Sequence, residues 1–274
     1  MKRSRIAALL LASALLASAA CADNDPPERE PIVEDIPWTA PEAYRYELTT
    51  SSGGDPRGEG VLSITMDGDS LLLSQMFSDP EGNADSSVLE VEAETLAPLV
   101  GRRVITDADE DRRAIAETEY GPIDDGDAMA VRIRELNFDS LEDDEPSSRR
   151  CNPMRIEEDV YYDNDSSLFL WRTIKFEEGY EVTYSAVIAN RRDKRPVTLR
   201  VRRQERIETA AGEFDAWLVG IEAEGQVHNA YFATTDDHKL LWYDNDDLTF
   251  SYAGEAEDVP AVERPEGVPT DCGG

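Results

Sequence analysis

Leu62-Ser63-Ile64-Thr65-Met66-Asp67-Gly68-Asp69-Ser70-Leu71-Leu72-Leu73-Ser74-Gln75-Met76-Phe77 decides the fold of this chain. Leu62, Ile64 and Met66 alternate with polar residues, and Leu71, Leu73, Gln75 and Phe77 resume the alternation after Asp67-Gly68-Asp69. A period of two belongs to a strand with one buried face, and Asp-Gly between two such runs signals a hairpin. The pattern spreads outward from this hairpin. Tyr44, Tyr46 and Leu48 precede it, and residues 88–93, 99–105, 113–120 and 128–136 follow. In the last of these Met129, Val131 and Ile133 face one way and Arg132 and Arg134 the other, as in an antiparallel sheet with one wet side. Residues 138–150, acidic and rich in Ser and Pro, read as a loop. Strands resume at 180–188, 197–207, 214–223, 227–234, 239–243 and 248–252. Helical spacing occurs at residues 166–176, where Leu168, Trp171 and Ile174 stand three apart. The expectation is an all-β chain: a single curved antiparallel sheet, a half-barrel or open barrel of about 11–12 strands with one short helix.

The chain has 274 residues, enough for one large domain or two small ones. Its 59 acidic residues outnumber 27 Lys and Arg, for a formal charge of −32. That excludes nucleic-acid binding through phosphate neutralisation, which needs a basic face, and electrostatic docking on anionic lipid. Lysine is confined to Lys2, Lys175, Lys194 and Lys239, while acids cluster as in Asp107-Ala108-Asp109-Glu110-Asp111 and Glu142-Asp143-Asp144-Glu145. Self-repulsion at this density is relieved by salt, since at 1 M the Debye length is about 3 Å. The composition reads as halophilic adaptation. A calcium loop starting at Asp107 fails, because Arg112 holds its glycine position and Thr118 its glutamate position.

The amino terminus addresses the chain. Lys2, Arg3 and Arg5 precede an apolar run over residues 6–20, too short to span a bilayer and suited to a signal peptide. The run ends in Ser18-Ala19-Ala20-Cys21, which resembles the bacterial lipobox, with Ser18 where leucine is usual. Cys21 is then the lipid attachment residue; the alternative is an ordinary secretory signal with Cys21 incidental. The expected division is residues 1–20 signal peptide, 21–37 lipidated disordered tether, 38–253 antiparallel β half-barrel, and 254–274 acidic Pro/Gly-rich tail. Removal of the signal takes the formal charge to −35. The mature chain faces the periplasm or the exterior of a bacterial envelope, held to the membrane by its lipid anchor.

Cys151 and Cys272 remain as an even pair outside the cytoplasm, a disulfide candidate; two free thiols are the alternative. A bridge would close a loop of about 120 residues, which the chain-entropy model values on the order of 4–5 kcal/mol. Neither cysteine has a second one at zinc-ligand spacing. Only His228 and His238 could serve as a catalytic base, and no Gly-x-Ser-x-Gly, phosphate loop or dinucleotide fingerprint occurs. No catalytic residue, metal ligand or cofactor is assigned. The aromatic residues of the second half read two ways, as sheet core or as a candidate ligand cradle of Trp171, Tyr180, Tyr184, Phe214, Trp217, Phe232 and Trp242 with residues 166–176 as a lid.

Tyr162-Asp163-Asn164, Glu178-Gly179-Tyr180, the run Glu208-Thr209-Ala210-Ala211-Gly212-Glu213-Phe214-Asp215-Ala216-Trp217 and His238-Lys239-Leu240-Leu241-Trp242-Tyr243-Asp244 together resemble the bacterial envelope proteins of domain of unknown function 3108. Ala210 stands where that family has proline. The resemblance spans about 44–253 and implies a distant likeness to the LolA and LolB lipoprotein carriers, whose unclosed antiparallel barrel cradles acyl chains. No catalytic residues carry over from it. The leading expectation is a non-enzymatic, lipid-anchored envelope protein that cradles a hydrophobic ligand or an envelope partner. The alternatives are an envelope hydrolase acting on glycan or lipid, and a purely structural interaction module; the oligomeric state is left open.

Overall fold

The computed structural model describes residues 32–52, 54–122, 129–157, 160–269 and Cys272. The expected signal segment, residues 1–20, and the expected lipid attachment residue Cys21 lie outside them. The first half is a meander of β1 (Glu42–Thr50), β2 (Pro56–Asp67), β3 (Ser70–Ser78), β4 (Ala84–Glu92), β5 (Pro98–Asp107), β6 (Arg112–Pro122), β7 (Met129–Phe138) and β8 (Ser148–Ile156). The short β9 (Tyr161–Asp163) leads through a 3₁₀ turn into the four-residue helix α1 (Ser167–Leu170). The second half comprises β10 (Glu181–Ile188), β11 (Asp193–Thr209), β12 (Gly212–Ala223), β13 (Gln226–Ala233), β14 (Leu240–Asp244) and β15 (Leu248–Glu255).

All fifteen strands form one sheet, curved into a nearly closed barrel, in the order β8-β7-β6-β5-β4-β3-β2-β1-β15-β14-β13-β12-β11-β10-β9. Every pairing is antiparallel except β9 on β10. The hairpin behaves as read: Asp67 pairs with Ser70, and Gly68 takes φ +61° in the turn, a backbone state that costs glycine nothing. β1 shows why the strands curl inward, since Tyr44, Tyr46 and Leu48 are buried while Arg45 and Glu47 are exposed. The same alternation buries Leu62 and Ile64, Leu71 and Leu73, Leu89 and Val91, and Val197, Leu199 and Val201 in one core.

The sheet has fifteen strands where 11–12 were expected: the thirteen runs read above all form strands, and β8 and β9, which escape the alternating pattern, add two more. β8 is exposed along most of its length and carries Pro153, features of an edge strand with no buried face to announce it. The expected helix shrinks for a related reason. Residues 166–174 are all buried, so the segment is wrapped by sheet on every side and needs no amphipathic helix. Phe169 and Leu170 plug the barrel, and this segment is core, not a lid.

The domain also begins before residue 38. Ile32 is fully buried in the core, Glu34 N donates to Thr173 O at 2.9 Å, and Trp38 stacks over the buried Arg172 guanidinium at 5.0 Å. The stretch expected to be a tether to residue 37 thus closes one end of the barrel from residue 32 onward; residues 21–31 lie outside the described residues. At the other terminus Gly254 and Glu255 still belong to β15, so the tail is shorter than 254–274. Beyond it the chain crosses the outer face of the first half as a strap. Arg264 Nε donates to Glu90 Oε2 at 2.8 Å, Gly267 lies so close to the Glu119 carboxylate that a Cβ would displace it, and Val268 is buried. The strap ends at Cys272, disulfide-bonded to Cys151 of β8 with Cα atoms 5.0 Å apart.

Candidate functional site

The two edges of the sheet meet without a backbone ladder among the described residues. β6, β7 and β8 face β9, β10 and the turn Ala189–Arg191 through side chains, with Tyr120, Val131, Ile133, Ile156, Val187 and Ala189 forming a second small core. Tyr120 Oη donates to Asp163 Oδ2 at 2.5 Å, and the Tyr120 and Tyr161 rings stack at 6.3 Å. Arg103 on β5 grips Asp85 with Nε and one terminal amino group and reaches Asp165 Oδ1 at 3.0 Å with the other. Gln75 donates to the Asp165 carbonyl. Burial pushes the Asp165 carboxyl up to about 7; adjacent Asp163 adds to the rise and Arg103 opposes it. Burial raises Asp163 too, against the pull of its Tyr120 bond.

Beside this seam lies a cavity of about 450 Å³, at the barrel end opposite Ile32 and Trp38. Its inner part is aromatic: Phe77, Trp171, Tyr184, Tyr243 and Phe250. Edge-to-face contacts fix these rings, Phe77 on Phe250 at 5.3 Å and Trp171 on Tyr243 at 5.4 Å. Trp171 Nε1 donates to Tyr184 Oη at 2.9 Å, and burial raises the Tyr184 and Tyr243 phenols so that both stay neutral. The outer part carries Arg191 in the turn after β10, Arg195 near the start of β11 and His228 near the start of β13. Arg195 donates from one terminal nitrogen to Glu224 Oε2 at 2.7 Å, while its buried Nε has no acceptor. The buried His228 Nδ1 likewise has no hydrogen bond; Asp246 Oδ2 is 3.7 Å away.

The expected cradle only partly coincides with this cavity. Trp171 and Tyr184 line it. Phe232 is completely buried against Phe176, Trp217 packs on Phe176 as well, and Phe214 meets Tyr252 edge-on at 5.7 Å. Tyr180 packs partly buried on the same core. Trp242 lies on the face of β14 opposite Tyr243, paired with Tyr231 at 5.5 Å, because neighbours along a strand point to opposite sides. The first-half contribution from Phe77 and the cationic rim were missed. The second had a signal, since Arg191-Arg192-Asp193-Lys194-Arg195 is the densest basic run beyond residue 20 in an acidic chain. Among the described residues no cluster of three His, Cys, Asp or Glu is arranged to hold a metal.

The family described as Protein of unknown function (DUF3108) matches residues 45–251. No curated protein matches the chain. The crystal structure of a beta-barrel-like protein of domain of unknown function DUF1849 from Brucella abortus is similar at a TM-score of 0.40 and 11% identity, over 79% of this chain and 98% of that one.

Proposed function

The chain belongs to the DUF3108 family, whose function is unknown, and we propose that it is a non-enzymatic, lipid-anchored envelope protein holding a hydrophobic ligand in its barrel cavity. One observation carries the reading: a cavity of about 450 Å³, within the usual range of about 300–1,000 Å³ for small-molecule sites, whose mixed lining sets Phe77, Trp171, Tyr184, Tyr243 and Phe250 beside polar groups such as Gln75, Asn164 and Asn190. Rings already locked against one another lose little freedom when a ligand displaces water from them. The hydrolase alternative finds its best carboxylate pair in Asp163 and Asp165, but Tyr120 and Arg103 occupy both in tying the seam. The address rests on residues 1–21, with Cys21 as the acylated residue. The acidic surface fits a salt-rich exterior.

Native mass spectrometry of the full protein extracted from its own membrane tests the binding role. A co-purifying hydrophobic molecule is the expected result, and a clean ligand-free mass overturns it. Cys21→Ala tests the anchor: the variant leaves the membrane fraction and loses metabolic palmitate label, whereas retained label sinks the lipidation reading.

A further inference from the structure

We infer that the cavity takes an anionic amphiphile, a single-chain molecule whose carboxylate or phosphate head lies between Arg191, Arg195 and His228. The inference rests on the hydrophobic-ligand reading and specifies its chemistry. In a chain of formal charge −32, three guanidinium groups, Arg103, Arg191 and Arg195, line one cavity. They are not equivalent. Arg103 is saturated by Asp85 and Asp165 and belongs to the seam. Arg195 is half satisfied, held by the exposed Glu224 but with Nε buried and unpaired. Arg191 has no carboxylate partner among the described residues, and the buried His228 Nδ1 has no hydrogen bond.

A buried donor without an acceptor is costly, and a guanidinium fork matches the two oxygens of a carboxylate or phosphate. Arg195 offers such an unused donor, and Arg191, exposed at the mouth, adds a positive charge. The carboxylates near these groups are Asp165, already shared with Arg103, and the exposed Glu224 and Asp246. A free inorganic anion would satisfy the rim yet leave the half-buried Phe77 and Tyr243 beside unfilled space. An alkyl chain on the anion fills that space, and the volume of about 450 Å³ suits one chain. The negative field of the whole protein opposes an approaching anion, so binding strengthens as salt screens that field.

Calorimetric titration of the full protein at molar KCl, where screening extends over about 3 Å, reads the preference directly. The probes are laurate, dodecyl phosphate, dodecanol, dodecylamine and inorganic phosphate. Laurate and dodecyl phosphate bind at least tenfold more tightly than dodecanol, dodecylamine binds weakest, and inorganic phosphate does not compete. Dodecanol binding as tightly as laurate overturns the anionic head while leaving the hydrophobic-ligand reading intact. No binding by any twelve-carbon probe overturns both. Inorganic phosphate displacing laurate at equal affinity makes the rim a free-anion site and overturns the amphiphile. The double variant Arg191→Gln with Arg195→Gln narrows the laurate-to-dodecanol ratio at least tenfold; an unchanged ratio in the folded variant removes the two arginines from the site. Should that variant not fold, the wild-type series decides alone.

Discussion

Tyr120 and Asp163, 43 residues apart, share a hydrogen bond of 2.5 Å that joins β6 to β9 where the sheet has no ladder. Tyr120→Phe keeps the ring and its stack on Tyr161 but leaves the buried Asp163 carboxylate short of a donor. Such a loss costs about 1–3 kcal/mol. The urea midpoint of the variant falls accordingly, with an unchanged slope. A midpoint equal to wild type would show that the seam is held by apolar contact alone.

Asp165 makes the seam sensitive to pH. Its carboxyl is ordinary in the unfolded chain, near 3.8, and is pushed up to about 7 in the folded one. Between those values the folded chain keeps a proton that the unfolded chain has released. The contribution of Asp165 to stability is therefore full below about pH 4, falls as pH rises toward 7 and is flat above. Asp163 shifts in the same direction. Asp165→Asn lacks this titration, so wild type loses stability relative to the variant on going from pH 5 to pH 8. Paired urea melts at the two pH values check the sign, and a difference moving the other way contradicts it.

The Cys151–Cys272 bridge closes a loop with a sequence separation of 121 and fixes the strap over Glu90, which is nearly inaccessible. Cys272→Ser lowers stability by on the order of 4 kcal/mol in the chain-entropy model. It also frees the strap, so limited proteolysis cuts between residues 256 and 269 well before the barrel. A strap that stays resistant after reduction would mean that Arg264 and Val268 hold it unaided.

With a formal charge of −32 on the chain, or −35 without residues 1–20, repulsion weakens the compact state more than the extended one. The melting temperature of the unit Pro31–Gly274 rises steeply between about 0.1 and 2 M KCl. Potassium chloride is chosen because sulfate stabilises most proteins by exclusion from their surface. A flat response would show that the acids are compensated locally, and an equal rise with micromolar Ca²⁺ would point to specific sites.

Alternation made most of the sheet readable, because Tyr44, Tyr46 and Leu48, like Leu62 and Ile64, each state which face is buried. The same rule is silent where neither face is buried, as along β8, and where every side is, as over residues 166–174. Trp171 was identified from its spacing, though the reason for its burial is enclosure and not an amphipathic face. Phe77 looked like any inward strand residue, since its role as cavity wall depends on Phe250, which only the pairing of the two halves brings beside it. Arg191 and Arg195 fall between two alternating runs, where no periodicity assigns a face, and only the fold sets them beside His228. Periodicity reports a residue's face; it carries no information about which distant faces meet.

Because β1 pairs with β15, the sheet order equals the chain order on a ring cut at the wrong point. The first and last strands lie at mid-sheet, and the gap in the sheet lies at mid-chain. A newly synthesised β1 must wait for a partner roughly 200 residues downstream, and until then it is an unguarded edge beside a finished meander. A circular permutant joining Gly274 to Ile32 through a linker, with new ends between Glu157 and Val160, would keep the strap and the residues from Ile32 onward, bring β15 and β1 close in sequence and spare the nascent chain that delay.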